Sequence, residues 1–408
     1  QDRVLTVDNT LVPGSGTAIT TPTPNVLLRY RYDAAGNVQS VTDTINGAIR
    51  ATTTYEHDDL DRITSITQIG ASIGDKHVRF GYNKLGQYTS IETYASSTVD
   101  AQNFVFASTY EYDTLNRLEL LDHRNRSNVR LNFFDFTYDA SSRIISIEDI
   151  DGGASYNYDA TDQLTGVDRA DSDIRGDESY MYDENGNRIS SHRHGDGYET
   201  GPGNRLLSDG IYDYDYDNEG NLVLRTEIAT GSTREFEFDH RNRLIRVTDA
   251  DENDTPTQIA EYTYDAIGRR IAKSVDDLTD GAIPAEVTQF VYDREDIILQ
   301  YEGDAVATTT LAHRNLHGPG IDQVLTQDDG QETVWMIVDH LGTVTDIVSS
   351  AGAVVNHRSF DTFGNLLPQY DGISYGYTGR EFDSDTGLHF YRARYYSGGH
   401  GVFIAADP

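Results

Sequence analysis

The sequence predicts an all-β fold, an array of antiparallel β-hairpins that pair edge to edge into one long, coiling sheet. Three observations support this prediction. A short motif with an aromatic residue, an aspartate and a turn residue recurs along the chain, strand-like alternation flanks each copy, and no apolar helical periodicity persists beyond a turn or two. Because a lone hairpin is only marginally stable in water, successive hairpins are expected to pair with one another.

The motif is clearest in YMYDENGNRIS, residues 180–190, and recurs thirteen times. From Asp33 to Asp293 its acidic position advances in ten steps over 260 residues, a mean of 26, and a period in that range indicates a repeat protein. The acidic positions are Asp33, Asp58, Asn83, Asp113, Asp139, Asp159, Asp183, Asp217, Asp239, Asp265, Asp293, Asp339 and Asp361.

The residue three positions after each acidic residue is Gly, Asn or Asp in twelve copies and Ser142 in the other. These types tolerate a positive φ, so a left-handed backbone is predicted there, at the end of a tight hairpin turn. The aspartate is expected to accept hydrogen bonds from backbone N–H groups of the turn, a structural role rather than a catalytic one. The predicted turn pairs include Asp33 with Gly36, Asp183 with Gly186, Asp217 with Gly220, Asp265 with Gly268, and Asp361 with Gly364.

The residues beside each turn have the pattern of strands. Tyr180 and Tyr182 lie two apart and therefore share one face of a strand, and the outgoing strand supplies an apolar residue at a fixed offset. We expect the tyrosine rows to pack across strands; a sugar-binding platform is the alternative.

Composition excludes several classes of function. With 32 basic and 67 acidic residues, the net charge of −35 disfavours nucleic acid and anionic lipid, so neither nucleic-acid binding nor membrane insertion is expected. The acidity indicates either solubility outside the cell, or attraction of cations or of a basic passenger. No cysteine is present for a disulfide or a thiolate site. The sequence begins in mid-pattern, which suggests a piece of a larger polypeptide.

The wording of the motif, Y-x-Y-D-x-x-G-N-R-L, resembles the RHS/YD-repeat family from about Arg29 to Pro408. Two stretches resemble the RHS-repeat-associated core of that family: VDHLGTVTDIVSSAGAVVNHRSFDTFGNLL (338–367) and YGYTGREFDSDTGLHFYRARYYSGGHGVFIAADP (375–408). The resemblance implies a curved, hollow shell of hairpins that encloses a C-terminal passenger, with the core segment as a plug. It also implies a secreted toxin; the alternative is a cell-surface or filament protein in adhesion, as in animal teneurins.

The resemblance further implies self-cleavage: in many members of this family the core cuts the passenger free with an aspartic pair in two D-P-x-G motifs. Two close carboxylates suit this chemistry because one is ionised and activates water while the other stays protonated. By motif position Asp407 resembles the first catalytic aspartate and Arg394 the family arginine, with Arg392 as the near competitor. The second motif is not in this sequence, so we expect the fragment to be inactive and the complete parent to be a self-cleaving protease. YYSGGHGVF departs from the common family wording, which leaves the local loop geometry open.

Two other patterns are weak candidates. DADEND (249–254) starts like a calcium loop but lacks its Gly and its last Glu, and SHRHGDG (191–197) places two histidines in a glycine-rich loop. We expect a solvated loop and an exposed turn, with no metal and no cofactor. A carbohydrate-binding β protein is a third interpretation of the abundant Tyr and Asp.

The predicted organisation has three parts: an N-terminal edge strand and connection (1–28), the hairpin array (29–330) and the incomplete core segment (331–408). Thirteen hairpins are few for a full shell around a folded domain. The expected partners are therefore the passenger, which lies outside this sequence, and upstream repeats or a partner chain that complete the wall. The expected location is secreted or on the cell surface.

Overall fold

A computed structural model describes residues 6–8, 25–71, 73–170, 173–281, 283–305, 309–367 and 372–407. Within them the all-β prediction is confirmed, because the only helical elements are two 3-10 segments, Pro202–Asn204 and Tyr377–Gly379. The strands are β1 (Thr6–Asp8), β2 (Val26–Tyr32), β3 (Val38–Ile45), β4 (Ala48–His57), β5 (Ile63–Gly70), β6 (Lys76–Tyr82), β7 (Tyr88–Tyr94), β8 (Phe104–Tyr112), β9 (Leu118–Asn125), β10 (Arg130–Tyr138), β11 (Ile144–Asp149), β12 (Ala154–Tyr158), β13 (Leu164–Arg169), β14 (Glu178–Tyr182), β15 (Arg188–Ser191), β16 (Glu199–Thr200), β17 (Leu206–Ser208), β18 (Tyr212–Tyr216), β19 (Leu222–Glu227), β20 (Thr233–Phe238), β21 (Leu244–Ala250), β22 (Pro256–Tyr264), β23 (Arg270–Asp277), β24 (Glu286–Asp293), β25 (Asp296–Asp304), β26 (Thr310–His317), β27 (Val324–Asp328), β28 (Thr333–Val338), β29 (Val344–Ser349), β30 (Val354–His357), β31 (Ser359–Phe360), β32 (Leu366–Leu367), β33 (Glu381–Asp383), β34 (Leu388–Tyr391), β35 (Arg394–Ser397) and β36 (Val402–Phe403).

The chain forms two compact units. The first contains residues 1–135 and 287–358, and the second contains residues 136–286 and 359–408. The boundaries predicted at about residues 28 and 330 stay predictions. No described helix has the length and apolar character that a membrane crossing requires.

In the first unit, strands β1 to β10 are hydrogen-bonded to one another in sequence order, and β24 to β30 follow the same rule. Apolar side chains from β5 to β8 pack against those of β26 to β29, with Trp335 fully buried among them. Two buried ion pairs also connect early and late strands of this unit: Lys76 on β6 lies 2.9 Å from Asp328 on β27, and Arg314 on β26 lies 2.6 Å from Asp43 on β3. The first unit is therefore held by an apolar core and by charge pairs between strands that are far apart in sequence.

In the second unit, strands β11 to β15 and β16 to β23 are likewise antiparallel neighbours in sequence order. The C-terminal strands β33 to β36 form a separate four-stranded antiparallel sheet. Leu388, Phe390, Tyr395 and Ile404 of this segment share one buried core with apolar residues of β18 to β23.

Twelve of the thirteen repeated turns close in the same way. The backbone N–H of the acidic residue donates to the carbonyl oxygen four residues later at 2.9–3.0 Å. The side-chain Oδ1 of the acidic residue accepts from the N–H of that same later residue at 2.8–3.1 Å. The third residue has a positive φ in all twelve, for example 85° at Gly186 and 67° at Ser142. This is a type I turn that ends in a left-handed residue, and the strand register shifts by one beside it.

The structure differs from the sequence prediction at the hairpin after Asp293. There β25 begins at Asp296, only two residues connect it to β24, and Arg294 has the positive φ of 55°. Asp296 is therefore the first residue of a strand, and it does not have the left-handed backbone that the sequence predicted for it.

The same turn also forms where no aromatic residue precedes it. Asn125 accepts from the N–H groups of Ser127 and Val129, and Asp251 accepts from those of Asn253 and Thr255. The predicted solvated loop at 249–254 is therefore a hairpin turn of the array, with Asp254 at φ 58°. These two turns share with most of the repeated turns an Asx residue followed three positions later by Asn, Asp or Gly.

One side chain of the motif links neighbouring hairpins, and another stabilises its own turn. The tyrosine before the acidic residue donates its hydroxyl to the carbonyl of the first residue of the preceding outgoing strand at 2.6–2.9 Å, in Tyr82 to Ile63, Tyr112 to Tyr88, Tyr158 to Ile144 and Tyr264 to Leu244. Where the residue after the turn is arginine, its Nε donates to the turn carboxylate at 2.7–2.8 Å. In these four repeats the tyrosine bond adds to the strand ladder between hairpins, and the arginine bonds stabilise individual turns.

Candidate functional site

The candidate site lies in the second unit, in the C-terminal segment whose sequence resembles a core region. Residues 372–407 carry β33 to β36. Apolar and aromatic side chains of this segment pack against β18 to β23, and Glu381 and Asp383 of β33 contact basic residues of β23. Both sequence-predicted residues of the cleavage chemistry, Arg394 and Asp407, belong to this segment.

A fully buried arginine holds the start of this segment. Arg270 on β23 has no exposed surface, and its Nη2 lies 2.5 Å from the Oε2 of Glu381 on β33. Its Nη1 donates to the hydroxyl of Tyr395 at 3.2 Å, and its guanidinium lies 4.3 Å from the ring centre of Phe390. A buried charge is tolerated only with a partner and hydrogen bonds, so Arg270 and Glu381 stabilise each other.

A second buried pair lies beside the first. Lys273 Nζ lies 3.1 Å from Asp383 and 2.6 Å from Asp385, and Tyr262 donates its hydroxyl to Asp383 at 2.8 Å. Burial alone would raise the pKa of Asp383, but the nearby cations Lys273 and Arg270 outweigh it and hold that pKa below its usual value. The motif FDSDTG at 382–387 therefore places two carboxylates beside the basic side chains of Lys273 and Arg270. We call this segment the acidic strap.

The turn at Asp361 extends the attachment. Asp361 lies 3.1 Å from Arg193, and burial raises the pKa of its carboxyl. Asn365 donates both to Asp361 at 2.6 Å and to the carbonyl of Gly398 at 2.9 Å. Gly364 has φ 86°, and a Cβ there would clash with the ring of Tyr377, so glycine is required for conformation and for space.

The last described residues run along the end of a repeat turn. Ile404 donates its N–H to Tyr395 O at 3.0 Å and accepts from Leu222 N–H at 2.8 Å, and Ala406 N–H donates to Asn221 Oδ1 at 3.0 Å. Ile404 and Ala405 are buried. The tail is thus fixed as far as the residue before Asp407.

Arg394 and Asp407 lie next to each other. The Nη2 of Arg394 is 3.4 Å from Oδ1 of Asp407, whose side chain is 82% exposed, and the guanidinium lies 3.8 Å from the ring centre of Phe403. Arg392 occupies the two-residue turn between β34 and β35 with φ 59°. The geometry therefore pairs Arg394 with Asp407 and places its competitor at a corner of the sheet. Pro408 lies outside the described residues.

One carboxylate with one neighbouring cation can orient a peptide or a water molecule, but acid and base roles together need a second titratable group. The described tail supplies the first carboxylate only. The catalytic role of Asp407 and the supporting role of Arg394 therefore stay predictions.

The predicted turn pair Asp33 with Gly36 belongs to the first unit, and Asp183 with Gly186, Asp265 with Gly268 and Asp361 with Gly364 belong to the second. The turn of Asp361 contacts the C-terminal segment through Asn365, which donates to Gly398 O. Asp217 and Gly220 belong to the turn whose next residue, Asn221, contacts the tail.

The histidine loop at 191–197 makes polar contacts of its own. His194 Nδ1 lies 2.8 Å from Asp209 Oδ2, and Tyr214 donates its hydroxyl to the same oxygen at 2.7 Å. Within the described ranges no group of three or more His, Asp or Glu side chains is placed to hold a metal ion.

Sequence reasoning did not identify Arg270, Lys273 or Asn221. Arg270 and Lys273 lie on an ordinary strand of the array, and Asn221 follows a turn glycine as several other polar residues do. The available signal is a pair of basic residues in the otherwise apolar start of an outgoing strand, R-I-A-K in this chain.

Comparisons with known proteins agree with this fold. A family model described as Teneurin YD-shell matches residues 87–408, and one described as RHS Repeat matches residues 32–73. They confirm the resemblance noted in the sequence.

Two curated relatives show which kinds of protein contain a segment similar to this chain. The tRNA3(Ser)-specific nuclease WapA of Bacillus spizizenii is 26% identical over 388 residues, and the Double-stranded DNA deaminase toxin A of Burkholderia cenocepacia is 26% identical over 377 residues. The matches cover 93% and 87% of this chain but only 13% and 24% of those proteins. The chain is therefore similar to a small part of each.

A crystal structure of TcdB2-TccC3-Cdc42 aligns with 94% of this chain and 20% of its own, with a TM-score of 0.72 and 17% sequence identity. At that identity the likeness shows a shared fold.

Proposed function

Because the chain belongs to the teneurin YD-shell family, we propose that it is the wall and core segment of a secreted toxin that encloses a C-terminal passenger. The observation that carries the proposal is the attachment of residues 359–407. Buried charge pairs at Arg270 and Lys273 fix this segment to the repeat strands. A protein made only of repeats would not need such an attachment. The relatives named as a nuclease and as a deaminase toxin support this choice.

The second part of the proposal is release of the passenger by aspartic autoproteolysis in the complete parent. Asp407 acts as one carboxylate of the pair, and Arg394 orients it, while the second carboxylate comes from residues beyond this sequence. The ionised carboxylate takes a proton from water, the resulting hydroxide equivalent attacks the peptide carbonyl, and the protonated carboxyl hydrogen-bonds to that oxygen. The C–N bond then breaks and the leaving amine takes up a proton.

The proposed partners follow from the net charge of the chain and from its small number of hairpins. A net charge of −35 favours a passenger that is basic, and upstream repeats or a partner chain complete the wall around it. The proposed location is outside the cell or on its surface.

A second candidate is adhesion at a cell surface without a toxin, and the description of the matching family as a teneurin shell favours it. The codons downstream of residue 408 in the gene distinguish the two candidates. An unrelated domain after a second D-P-x-G supports the toxin, and an anchoring signal supports adhesion.

Enclosure is tested by limited proteolysis of the full-length gene product. The passenger is expected to resist protease as long as the repeats stay folded, and to be degraded at the rate of the isolated passenger once they are denatured. A passenger that is digested equally fast in both states would contradict enclosure.

A further inference from the structure

The contact of the tail with one repeat turn carries a further inference. We propose that Asn221 is a positioning residue that directs the chain toward Asp407 and Arg394, so that a repeat turn belongs to the cleavage machinery. This inference rests on the proposed autoproteolysis. It adds to that reaction a residue of the repeats, outside the core segment.

Asn221 is only 1% exposed, and each polar atom of its side chain has a partner. Its Nδ2 donates to Asp217 Oδ2 at 2.8 Å and to Asn242 Oδ1 at 3.1 Å, which fixes the amide orientation from its own turn and from the next one. Its Oδ1 is thereby aimed at the tail, where it accepts from Ala406 N–H at 3.0 Å. The acceptor is therefore preorganised before the tail arrives.

The contact lies at the point where a positioning bond has most effect. Ile404 is held by backbone bonds on both sides and Ala405 is buried, so among the described residues the bond at Ala406 is the last backbone hydrogen bond before the side chain of Asp407. Without it, the backbone from Ala406 onward can rotate, and the 3.4 Å approach of Asp407 to Arg394 is no longer enforced. Catalysis by a positioned carboxylate is sensitive to displacements of about 1 Å.

The chain offers a matched control. Asn187 occupies the same turn position, and its Nδ2 donates to Asp183 Oδ2 at 2.9 Å and to Asn204 Oδ1 at 3.3 Å. Both of these bonds stay within the repeats, as the equivalent bonds of Asn221 do. Replacing either asparagine removes similar turn bonds, and the replacement of Asn221 also removes a bond to Ala406.

The test measures the rate of self-cleavage of the full-length gene product on denaturing gels. Asn221→Ala is expected to slow cleavage by about tenfold or more, whereas Asn187→Ala leaves the rate within about twofold. The exchanged pair Asp217→Asn with Asn221→Asp keeps a donor opposite an acceptor inside the turn and keeps an oxygen facing Ala406. The amide of Asn242, whose oxygen now accepts from Asn221, must flip so that its nitrogen donates to the new carboxylate. This double variant is expected to restore the rate, which a general loss of stability would not allow.

Hydrogen exchange of residues 402–407 in the present chain gives a readout that is independent of cleavage. Asn221→Ala should speed exchange there and Asn187→Ala should not. Equal exchange or equal cleavage rates in the two alanine variants would overturn the inference. Cleavage of the Asp407→Asn protein would contradict the proposed self-cleavage. In that case, faster exchange of residues 402–407 in Asn221→Ala but not in Asn187→Ala would still show that Asn221 positions the tail.

Discussion

The hydroxyl of Tyr264 donates a 2.6 Å hydrogen bond to the backbone carbonyl of Leu244, the first residue of the outgoing strand of the preceding hairpin. The guanidinium of Arg243 from that preceding turn lies 4.7 Å from the centre of the same ring. One tyrosine of the motif therefore joins two repeats, which explains why the motif is repeated together with its turn.

Replacement of Tyr264 by phenylalanine should lower the free energy of unfolding by about 1 kcal/mol, because a half-buried hydrogen bond is lost while the ring stays. Tyr216 holds the same motif position, but its hydroxyl has no hydrogen-bond partner within the part of the chain that the structure describes. Tyr216→Phe should therefore change stability by only a few tenths of a kcal/mol. Urea unfolding of the two variants measures the difference, and equal values would show that the Tyr264 bond adds nothing.

Gly268 tests the left-handed corner separately from packing. Its φ is 97°, and a methyl group added there would meet no atom within 4 Å, so alanine would suffer from conformation alone. Gly268→Ala should cost about 1 kcal/mol of stability, and Gly268→Asn clearly less, because asparagine tolerates this region and already stands at the same place in Asn242. Thermal unfolding ranks the variants; alanine as stable as asparagine would show that backbone conformation does not select the residue at this corner.

The acidic strap should be essential for the C-terminal segment. Asp383→Asn removes the buried carboxylate beside Lys273, which keeps only the more exposed Asp385 as its charge partner, and should cost about 3 kcal/mol. Glu237→Gln is the control, since Glu237 is 57% exposed and 4.0 Å from Arg246, and it should cost less than about 0.5 kcal/mol. Limited proteolysis should release the C-terminal segment early in the Asp383 variant only. The same proteolysis pattern in both would argue against the strap.

Acid should destabilise the first unit through a buried histidine. Burial lowers the pKa of His123 from about 6.5 to about 4, although Asp346 and Asp122 oppose the shift, and its Nδ1 lies 2.8 Å from Ser108 Oγ. Between those two values the unfolded chain binds the proton and the folded chain does not. Stability therefore falls as the pH drops from 6.5 toward 4, by about 3 kcal/mol from this residue.

The comparison that isolates this effect is the pH dependence of unfolding in His123→Gln and in His240→Gln, where His240 is exposed. The first variant should lose less stability than the unsubstituted chain between pH 7 and about pH 4. The second should follow the unsubstituted chain, and a parallel course of all three would exclude His123 as a source of acid sensitivity.

The repeat geometry could be predicted from the sequence because it is local. An acidic residue followed three positions later by a residue that tolerates positive φ places the turn correctly in twelve of the thirteen repeats, as at Asp183 and Gly186, and even Ser142 has the positive φ. The hairpin after Asp293 escaped prediction because its turn is shorter and its left-handed residue is an arginine, Arg294.

The attachment of the core segment could not be predicted in the same way. The pairs Arg270 with Glu381 and Lys273 with Asp383 join residues 111 and 110 positions apart, and no local pattern specifies which basic residue meets which carboxylate. Motif resemblance selected Arg394 and Asp407, and the structure places them 3.4 Å apart, but it could not reveal Asn221 because that residue belongs to the repeat.

The most direct test of the proposed function is a denaturing gel of the full-length gene product with and without the substitution Asp407→Asn. We predict two bands for the unsubstituted protein and one undivided band for the variant, while both proteins keep the same β-rich circular dichroism spectrum. Two bands from the Asp407→Asn protein, or a single band from the unsubstituted one, would contradict the proposed self-cleavage.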